Sequence, residues 1–472
     1  MRTKIVCTLG PACDDEHTLR EMVRAGMRVA RLNFAHGTHE EHARRIALLR
    51  QVEELEGVPI TLMGDLQGPK FRIGRLAQEP LALSVGAEVV LSADSLDGVV
   101  HFPHPEVFPV LREGQRLLID DGMMVLRVRR QLNERSASCE VLVGGLLCSN
   151  KGVSVPHAPV EIAAITEKDR ADLAFAVAQG LDALAMSFVR CAEDVLALRA
   201  SAREMGSDPL IIAKIEKPEA MEQLEAIVMA SDALMVARGD LGVEGTPEDV
   251  PFFQKRIIQT CLRAGKPVIT ATQMLQSMMN SPQPTRAEAS DVANAVLDGS
   301  DAVMLSGETA IGRYPIEATR VMARLAARAE AQAASRISHI PSDMDVTDMD
   351  RRTDAITAAA VEIAEQVGAK AIVCVSSSGF TARMVARHRP SVPVVCLTPH
   401  RRTQRYCGLM WGVQAVITET RHVDTEALLA YAARAVCQFG HACSGDWVVV
   451  TAGLPLGSGA GHTNMIRLLQ IA

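Results

Sequence analysis

The chain has 472 residues, enough for about two to four domains, and 48% of them are hydrophobic, so a sizeable core can be buried. Its 49 basic and 56 acidic side chains leave a net charge of −7, which gives no electrostatic case for a nucleic-acid partner. No apolar run approaches the roughly 20 residues of a membrane span. The eleven cysteines stand singly with no C-x-x-C pair, as expected of buried, reduced thiols. The chain opens at once on a strand pattern, Thr3 to Thr8, without the apolar stretch of a signal peptide, so a cytoplasmic location is expected.

Short β-type runs alternate with longer helical patterns, the signature of a parallel α/β fold. In chain order, strands are expected over 3–9, 29–34, 60–66, 183–189, 210–215, 233–238, 267–272 and 302–306. Helices are expected over 15–26, 38–55, 166–179, 191–205, 217–230, 247–264, 284–298 and 313–334. The strands are mostly uniformly apolar, as strands buried on both faces are. The second helix opens on Thr38-His39-Glu40-Glu41, a capping-box pattern. Eight strand–helix pairs predict a closed (β/α)₈ TIM barrel made of 1–68 and 152–335.

After the third strand the chain leaves the barrel over 69–151. Runs at 81–85, 116–120, 125–128 and 140–143, separated by Gly turns, predict a small all-β domain, taken as a β-barrel. It departs from the C-terminal end of a barrel strand, where barrel active sites lie, and is placed to act as a lid. Ser335–Arg352 is polar and reads as a linker. Residues 336–472 predict an open α/β domain, with helices at 354–367 and 425–439 and strands at 371–376, 392–397 and 447–451.

Polar residues cluster just past the barrel strands: Arg31 to Gly37, Gly64 to Arg72, Lys214-Ile215-Glu216, Arg238-Gly239-Asp240, Thr270 to Gln273 and Ser306-Gly307-Glu308. Alternate strand residues share a face, so Lys214 and Glu216 point the same way. Carboxylates from neighbouring strands, Glu216 and Asp240, with water and substrate oxygens, form the set that Mg²⁺ takes. Arg31, Arg72 and Lys214 supply positive charge for phosphate oxygens. A lone Lys-x-Glu is usually a solvated ion pair and a lone Arg-Gly-Asp a turn. Several such groups at successive strand ends favour a functional cluster, but the spacing does not name the reaction.

Over nearly its whole length the chain resembles the pyruvate kinase family. The resemblance is carried by Thr3 to Pro11, Arg31 to Gly37, Met235 to Glu244, Ala271 to Leu275, Pro284 to Glu288 and Met304 to Ala310, in the family's order. It resembles the bacterial type, without the N-terminal extension of the animal enzymes. The resemblance implies transfer of the phosphoryl group of phosphoenolpyruvate to ADP. It implies that Lys214 stabilises the developing charge, and that Glu216 and Asp240 hold Mg²⁺, or Mn²⁺ in its place. Arg31, Lys214, the Gly239–Asp240 backbone and Thr272 are implied as contacts to phosphoenolpyruvate, with Thr272 and water also serving the protonation of the enolate carbon. Asn33, His36, Arg72 and Lys151 are implied as nucleotide contacts, and a homotetramer is the family expectation.

Two departures stand out. The family's K⁺ site keeps Asn33, Asp65 and the Leu66 carbonyl here, but its Ser is replaced by Ala35. Lys70 stands where K⁺-requiring members carry Glu, so a built-in ammonium is expected to make K⁺ unnecessary. Ser154-Val155-Pro156-His157 replaces the Asn-Leu-Pro-Gly of many members on the hinge side of the lid.

In the third domain, Ser376-Ser377-Ser378-Gly379-Phe380-Thr381 runs from a strand into a helical pattern, and hydroxyls at a helix start suit a phosphate group. A capped helix without a ligand is the plainer alternative. The resemblance implies a phosphorylated effector there, a sugar phosphate or AMP, faced by the Gly453–Gly461 loop. A carbon–carbon lyase on a related barrel lacks the long insertion and the third domain. A silenced barrel used as a sensor is expected to have lost Lys214, Glu216, Asp240 or Thr272, and all four are present.

Overall fold

The computed structural model describes residues 1–156, 160, 163–333, 348–418, 425–454 and 462–472. The eight expected strands are Lys4–Thr8, Met27–Asn33, Thr61–Asp65, Ala183–Met186, Leu210–Ile215, Ala233–Ala237, Val268–Ala271 and Ala302–Leu305. They close into one parallel barrel in chain order. Strand alternation divides the core. Ile211, Ala213 and Ile215 belong to the layer between barrel and helices. Ile212 belongs with Val6, Val29 and Met63 in the barrel interior, so Lys214 and Glu216, two and four positions on, face inward at the C-terminal mouth.

The surrounding helices start where their caps are. Glu41 N–H donates to Thr38 Oγ1 at 3.3 Å and Glu41 Oε2 accepts from Thr38 N–H at 3.0 Å. Thr166 with Asp169 and Thr285 with Glu288 repeat the box. The fifth expected helix is a 3₁₀ segment, Pro218–Gln223, followed by Leu224–Ala230. A short helix that was not expected, Arg238–Glu244, starts directly off the sixth strand and carries Gly239 and Asp240.

The insertion, expected as a β-barrel over 69–151, is a seven-stranded sheet with a separate two-stranded ribbon. Its sheet runs from Phe71–Arg72 to Gly152–Ser154, which pair with each other, so the expected boundary at 152 falls inside it. A three-residue strand is too short to show alternation in a sequence. The helix expected from 354 begins at Asp348, which corrects the end of the linker; residues 334–347 of that linker lie outside the described residues. The third domain is a five-stranded sheet that includes Val413–Ile417 and an antiparallel edge strand, Thr463–Gln470, neither of which was expected.

The third domain packs on the N-terminal ends of the barrel strands. Arg389 Nη1 pairs with Asp301 at 2.9 Å and Lys4 Nζ donates to Val413 O at 2.6 Å. The barrel interior core runs on into Cys374, Tyr406, Leu409 and Met410. Among the described residues no helix is long and apolar enough to cross a membrane.

Candidate active site

A buried charge cluster occupies the barrel mouth. Arg31, Asp65, Lys214 and Glu216 end the second, third and fifth strands or follow them directly, and all are buried. Arg31 Nε donates to Asp65 Oδ2 at 2.7 Å and Arg31 Nη1 to Thr8 Oγ1 at 3.0 Å. Lys214 Nζ lies 3.1 Å from Asp65 Oδ1, 2.8 Å from Glu216 Oε1 and 2.7 Å from Ser187 Oγ. An ammonium has three N–H donors, so the tripod is complete. Burial disfavours a charged Lys214, but Asp65 and Glu216 overcome this and hold its pKa above the ordinary lysine value. Burial likewise opposes ionisation of Asp65, and Lys214 and Arg31 outweigh it, so that carboxyl titrates below the usual range. Removing one partner from such a group leaves an uncompensated buried charge, at a cost of about 3–5 kcal/mol.

Ser187 and Phe188 belong to this cluster and were not singled out from the sequence. Ser187 Oγ accepts from Lys214 and donates to Leu66 O at 2.7 Å. Phe188 N–H donates to Glu216 Oε2 at 2.6 Å, from a backbone with φ of 56°. The expected fourth strand, 183–189, had absorbed both. The strand ends at Met186, and its first polar residue past the apolar run was the available signal.

The sixth and seventh strands add the next group. Gly239 N–H donates to Thr272 Oγ1 at 2.8 Å, and Thr272 Oγ1 donates to Ala271 O at 2.7 Å. Lys70 Nζ reaches Asp240 Oδ1 at 3.2 Å and Asp121 of the lid at 3.7 Å. Lys70 thus sits against Asp240, whereas both Asp65 oxygens face Arg31 and Lys214. At the position lacking a Ser hydroxyl, Ala35 N–H donates to Asn33 Oδ1 at 3.2 Å.

Two carboxylates fit a hard divalent ion that keeps water and substrate oxygens as further ligands. Glu216 is buried, whereas the Asp240 side chain is partly exposed. Burial raises the Glu216 pKa, the Lys214 charge opposes this, and the nearby Asp240 charge raises it again. Among the described residues no group of three or more His, Cys, Asp or Glu could hold a metal without such outside ligands.

The nucleotide candidates lie toward the lid. Arg72 Nη1 donates to Asn150 O at 2.9 Å, and Lys151 Nζ pairs with Asp120 at 2.9 Å. Burial, then Arg72, Arg31 and Lys70, push the His36 imidazole below its ordinary pKa, so these cations share one field. Ser154 Oγ, on the hinge side, donates to Glu244 Oε1 at 2.8 Å; His157 lies outside the described residues.

In the third domain, Gly379, with φ of 80°, caps the helix Phe380–Arg387. Phe380 N–H reaches Ser378 Oγ at 3.4 Å, Ser377 O accepts from Thr403 Oγ1 at 2.6 Å, and Ser376 N–H bonds Leu397 O at 3.0 Å. The Thr381 hydroxyl is buried against Thr463 Oγ1 at 2.7 Å. Of the facing loop, residues 455–461 lie outside the described residues.

Comparison with known proteins gives the same frame. A family model described as the pyruvate kinase barrel domain matches residues 1–319, and one described as the pyruvate kinase alpha/beta domain matches residues 354–469. A pyruvate kinase of Agrobacterium vitis is 44% identical over 478 residues, covering 100% of this chain and 97% of the relative. One of Staphylococcus epidermidis is 42% identical over 476 residues, covering 99% of this chain and 80% of the relative. The chain therefore belongs to the pyruvate kinase family and is a phosphotransferase.

Proposed function

We propose that this chain moves the phosphoryl group of phosphoenolpyruvate onto ADP, giving pyruvate and ATP, at the barrel mouth. One observation carries the reading: a buried ammonium, Lys214, is fixed among Asp65, Glu216 and Ser187 beside Arg31. Phosphoryl transfer asks for positioning and charge neutralisation more than for covalent chemistry, and this cluster is organised in advance.

In this reading Lys214 stabilises the charge that grows on the phosphoryl group and the enolate oxygen as they separate. Arg31 and the Gly239–Asp240 backbone orient phosphoenolpyruvate. Glu216 and Asp240 would hold Mg²⁺, with Mn²⁺ as a substitute, and the bound ion would neutralise phosphate charge and polarise the enolate oxygen. Thr272 Oγ1, fixed by Gly239 N–H, orders the water that protonates the enolate carbon. Asn33, His36, Arg72 and Lys151 contact the nucleotide; His36, its pKa lowered, serves there as a neutral hydrogen-bonding group. Lys151 rides on the lid, whose closure excludes water.

Lys70 supplies a fixed positive charge beside Asp240, so turnover without K⁺ follows. The Ser376–Thr381 loop binds a sugar phosphate or AMP that activates the enzyme, which works as a cytoplasmic homotetramer. The test is an assay coupling pyruvate formation to a dehydrogenase. Phosphoenolpyruvate, ADP and Mg²⁺ together should give turnover, and each omission should abolish it. A folded protein inactive with all three contradicts the reading.

A further inference from the structure

Arg238 has no role in the reading above, although it begins the short helix that supplies Gly239 and Asp240. Its side chain is only 10% exposed, and its donors are spent inside the protein. Nε donates to Ala271 O at 3.2 Å and Nη2 to Thr272 O at 2.7 Å. Nη1 pairs with Asp291 at 2.7 Å and reaches Gln254 Oε1 at 3.4 Å, while Nη2 also lies 2.8 Å from Met274 Sδ. No donor of this fork is left for a phosphate oxygen.

The two carbonyls it holds belong to the turn leaving the seventh strand, and that turn is strained. Thr272 has φ of 66° and Gln273 φ of 54°, consecutive left-handed residues without a glycine. For the β-branched Thr272 this is a genuine outlier. Such a conformation persists only where neighbouring groups over-determine it. Its result is the fixed hydroxyl: Thr272 Oγ1 accepts from Gly239 N–H and donates to Ala271 O. A right-handed or extended Thr272 swings that oxygen off the Gly239 N–H.

We infer that Arg238 is a positioning residue for the proton-transfer half of the reaction: its planar fork, anchored by Asp291, holds the Ala271 and Thr272 carbonyls and so keeps Thr272 in the conformation that sets its hydroxyl. The inference rests on the reading that Thr272 serves the proton step. In that step the carbon–carbon double bond of the enolate supplies the electron pair for a new C–H bond. The proton comes from the water ordered by Thr272, and the enolate oxygen becomes the carbonyl of pyruvate. The hydroxide left behind takes a proton from bulk solvent. A lysine at 238 keeps the charge but lacks the fork, so it cannot hold two carbonyls and a carboxylate in one plane.

Run in reverse, the step exchanges the methyl hydrogens of pyruvate with D₂O, which proton NMR follows with enzyme, Mg²⁺ and ATP present. Arg238→Lys should slow this exchange about 10²-fold, the loss a small misplacement at a reacting centre produces. The KM for phosphoenolpyruvate should stay within about threefold, and the thermal midpoint near wild type. Asp291→Asn, which loosens the guanidinium without removing it, should give a smaller change of the same sign, and it carries the test if Arg238→Lys does not fold. Thr272→Ala in the same assay separates two kinds of failure. Exchange lost in Thr272→Ala but retained in Arg238→Lys and Asp291→Asn overturns the inference and leaves the Thr272 reading standing. Exchange retained in Thr272→Ala overturns both. Parallel losses of exchange, substrate affinity and thermal midpoint in the Arg238 and Asp291 variants mark a merely structural role and also overturn the inference.

Discussion

The barrel mouth and the hydroxyl loop of the third domain are both polar clusters at the end of an apolar strand, yet they are built differently. At the mouth each buried charge is tied to another: Arg31 to Asp65, Asp65 to Lys214, Lys214 to Glu216. In the loop the groups are neutral, and the one buried hydroxyl among Ser377, Ser378 and Thr381, that of Thr381, is already engaged by Thr463. A network of buried charges is costly unless it does something no apolar packing can do, whereas hydroxyls at a helix start also serve as plain caps. The geometry therefore supports a role for the mouth more strongly than one for the loop.

The comparison can be broken by mutation. Lys214→Met should lower kcat by at least the roughly 10²–10³ that loss of one charge-stabilising group costs. Near-wild-type turnover from a folded variant removes Lys214 from the mechanism. Glu216→Gln and Asp240→Asn should shift the Mg²⁺ titration of activity upward. The shift should be no less than the roughly 10–100-fold that loss of an outer partner costs a metal site. Unchanged titrations in both place the metal elsewhere.

Lys70→Glu puts a carboxylate where an ammonium stands 3.2 Å from Asp240. Its rate without K⁺ should fall about tenfold, because an attraction becomes a repulsion. Added KCl should rescue it in part, and more fully when Ala35→Ser restores the missing oxygen. Wild type should run equally well in Na⁺ and K⁺ at matched ionic strength; a wild-type enzyme nearly inactive until KCl is added contradicts this. The smallest effect on maximal rate belongs to the loop. Ser377→Ala with Ser378→Ala should abolish activation by sugar phosphate or AMP, and adding Thr381→Ala should lower the thermal midpoint as well, since that hydroxyl bonds Thr463 inside the fold. Activation that survives the triple change removes the loop from regulation.

Much of this is legible in the sequence. Mostly apolar runs mark the eight barrel strands, and the two-residue strand period puts Lys214 and Glu216 on one face. What escaped depends on tertiary contact or backbone strain. Ser187 is a lone polar residue after an apolar run, and its role shows only where Lys214 and Leu66 meet across it. The left-handed Phe188, Thr272 and Gln273 have no glycine or asparagine to announce them. The partners of Lys70, Asp121 in the lid turn and Asp240 on the short helix, lie far from it in the chain and are not announced by the sequence. The Val413–Ile417 strand lies at a sheet edge, with Gln414 exposed and Ala415 to Ile417 half-buried, a weaker pattern than a buried strand gives.

The central claim is that Lys214 and Glu216 act as one unit at the barrel mouth. A double-mutant cycle on kcat/KM for phosphoenolpyruvate, with Lys214→Met, Glu216→Gln and the pair, tests it most directly. Groups that act together lose most of their effect with the first removal. The account predicts a double variant hardly worse than Lys214→Met alone. A double variant whose loss equals the product of the two single losses contradicts it.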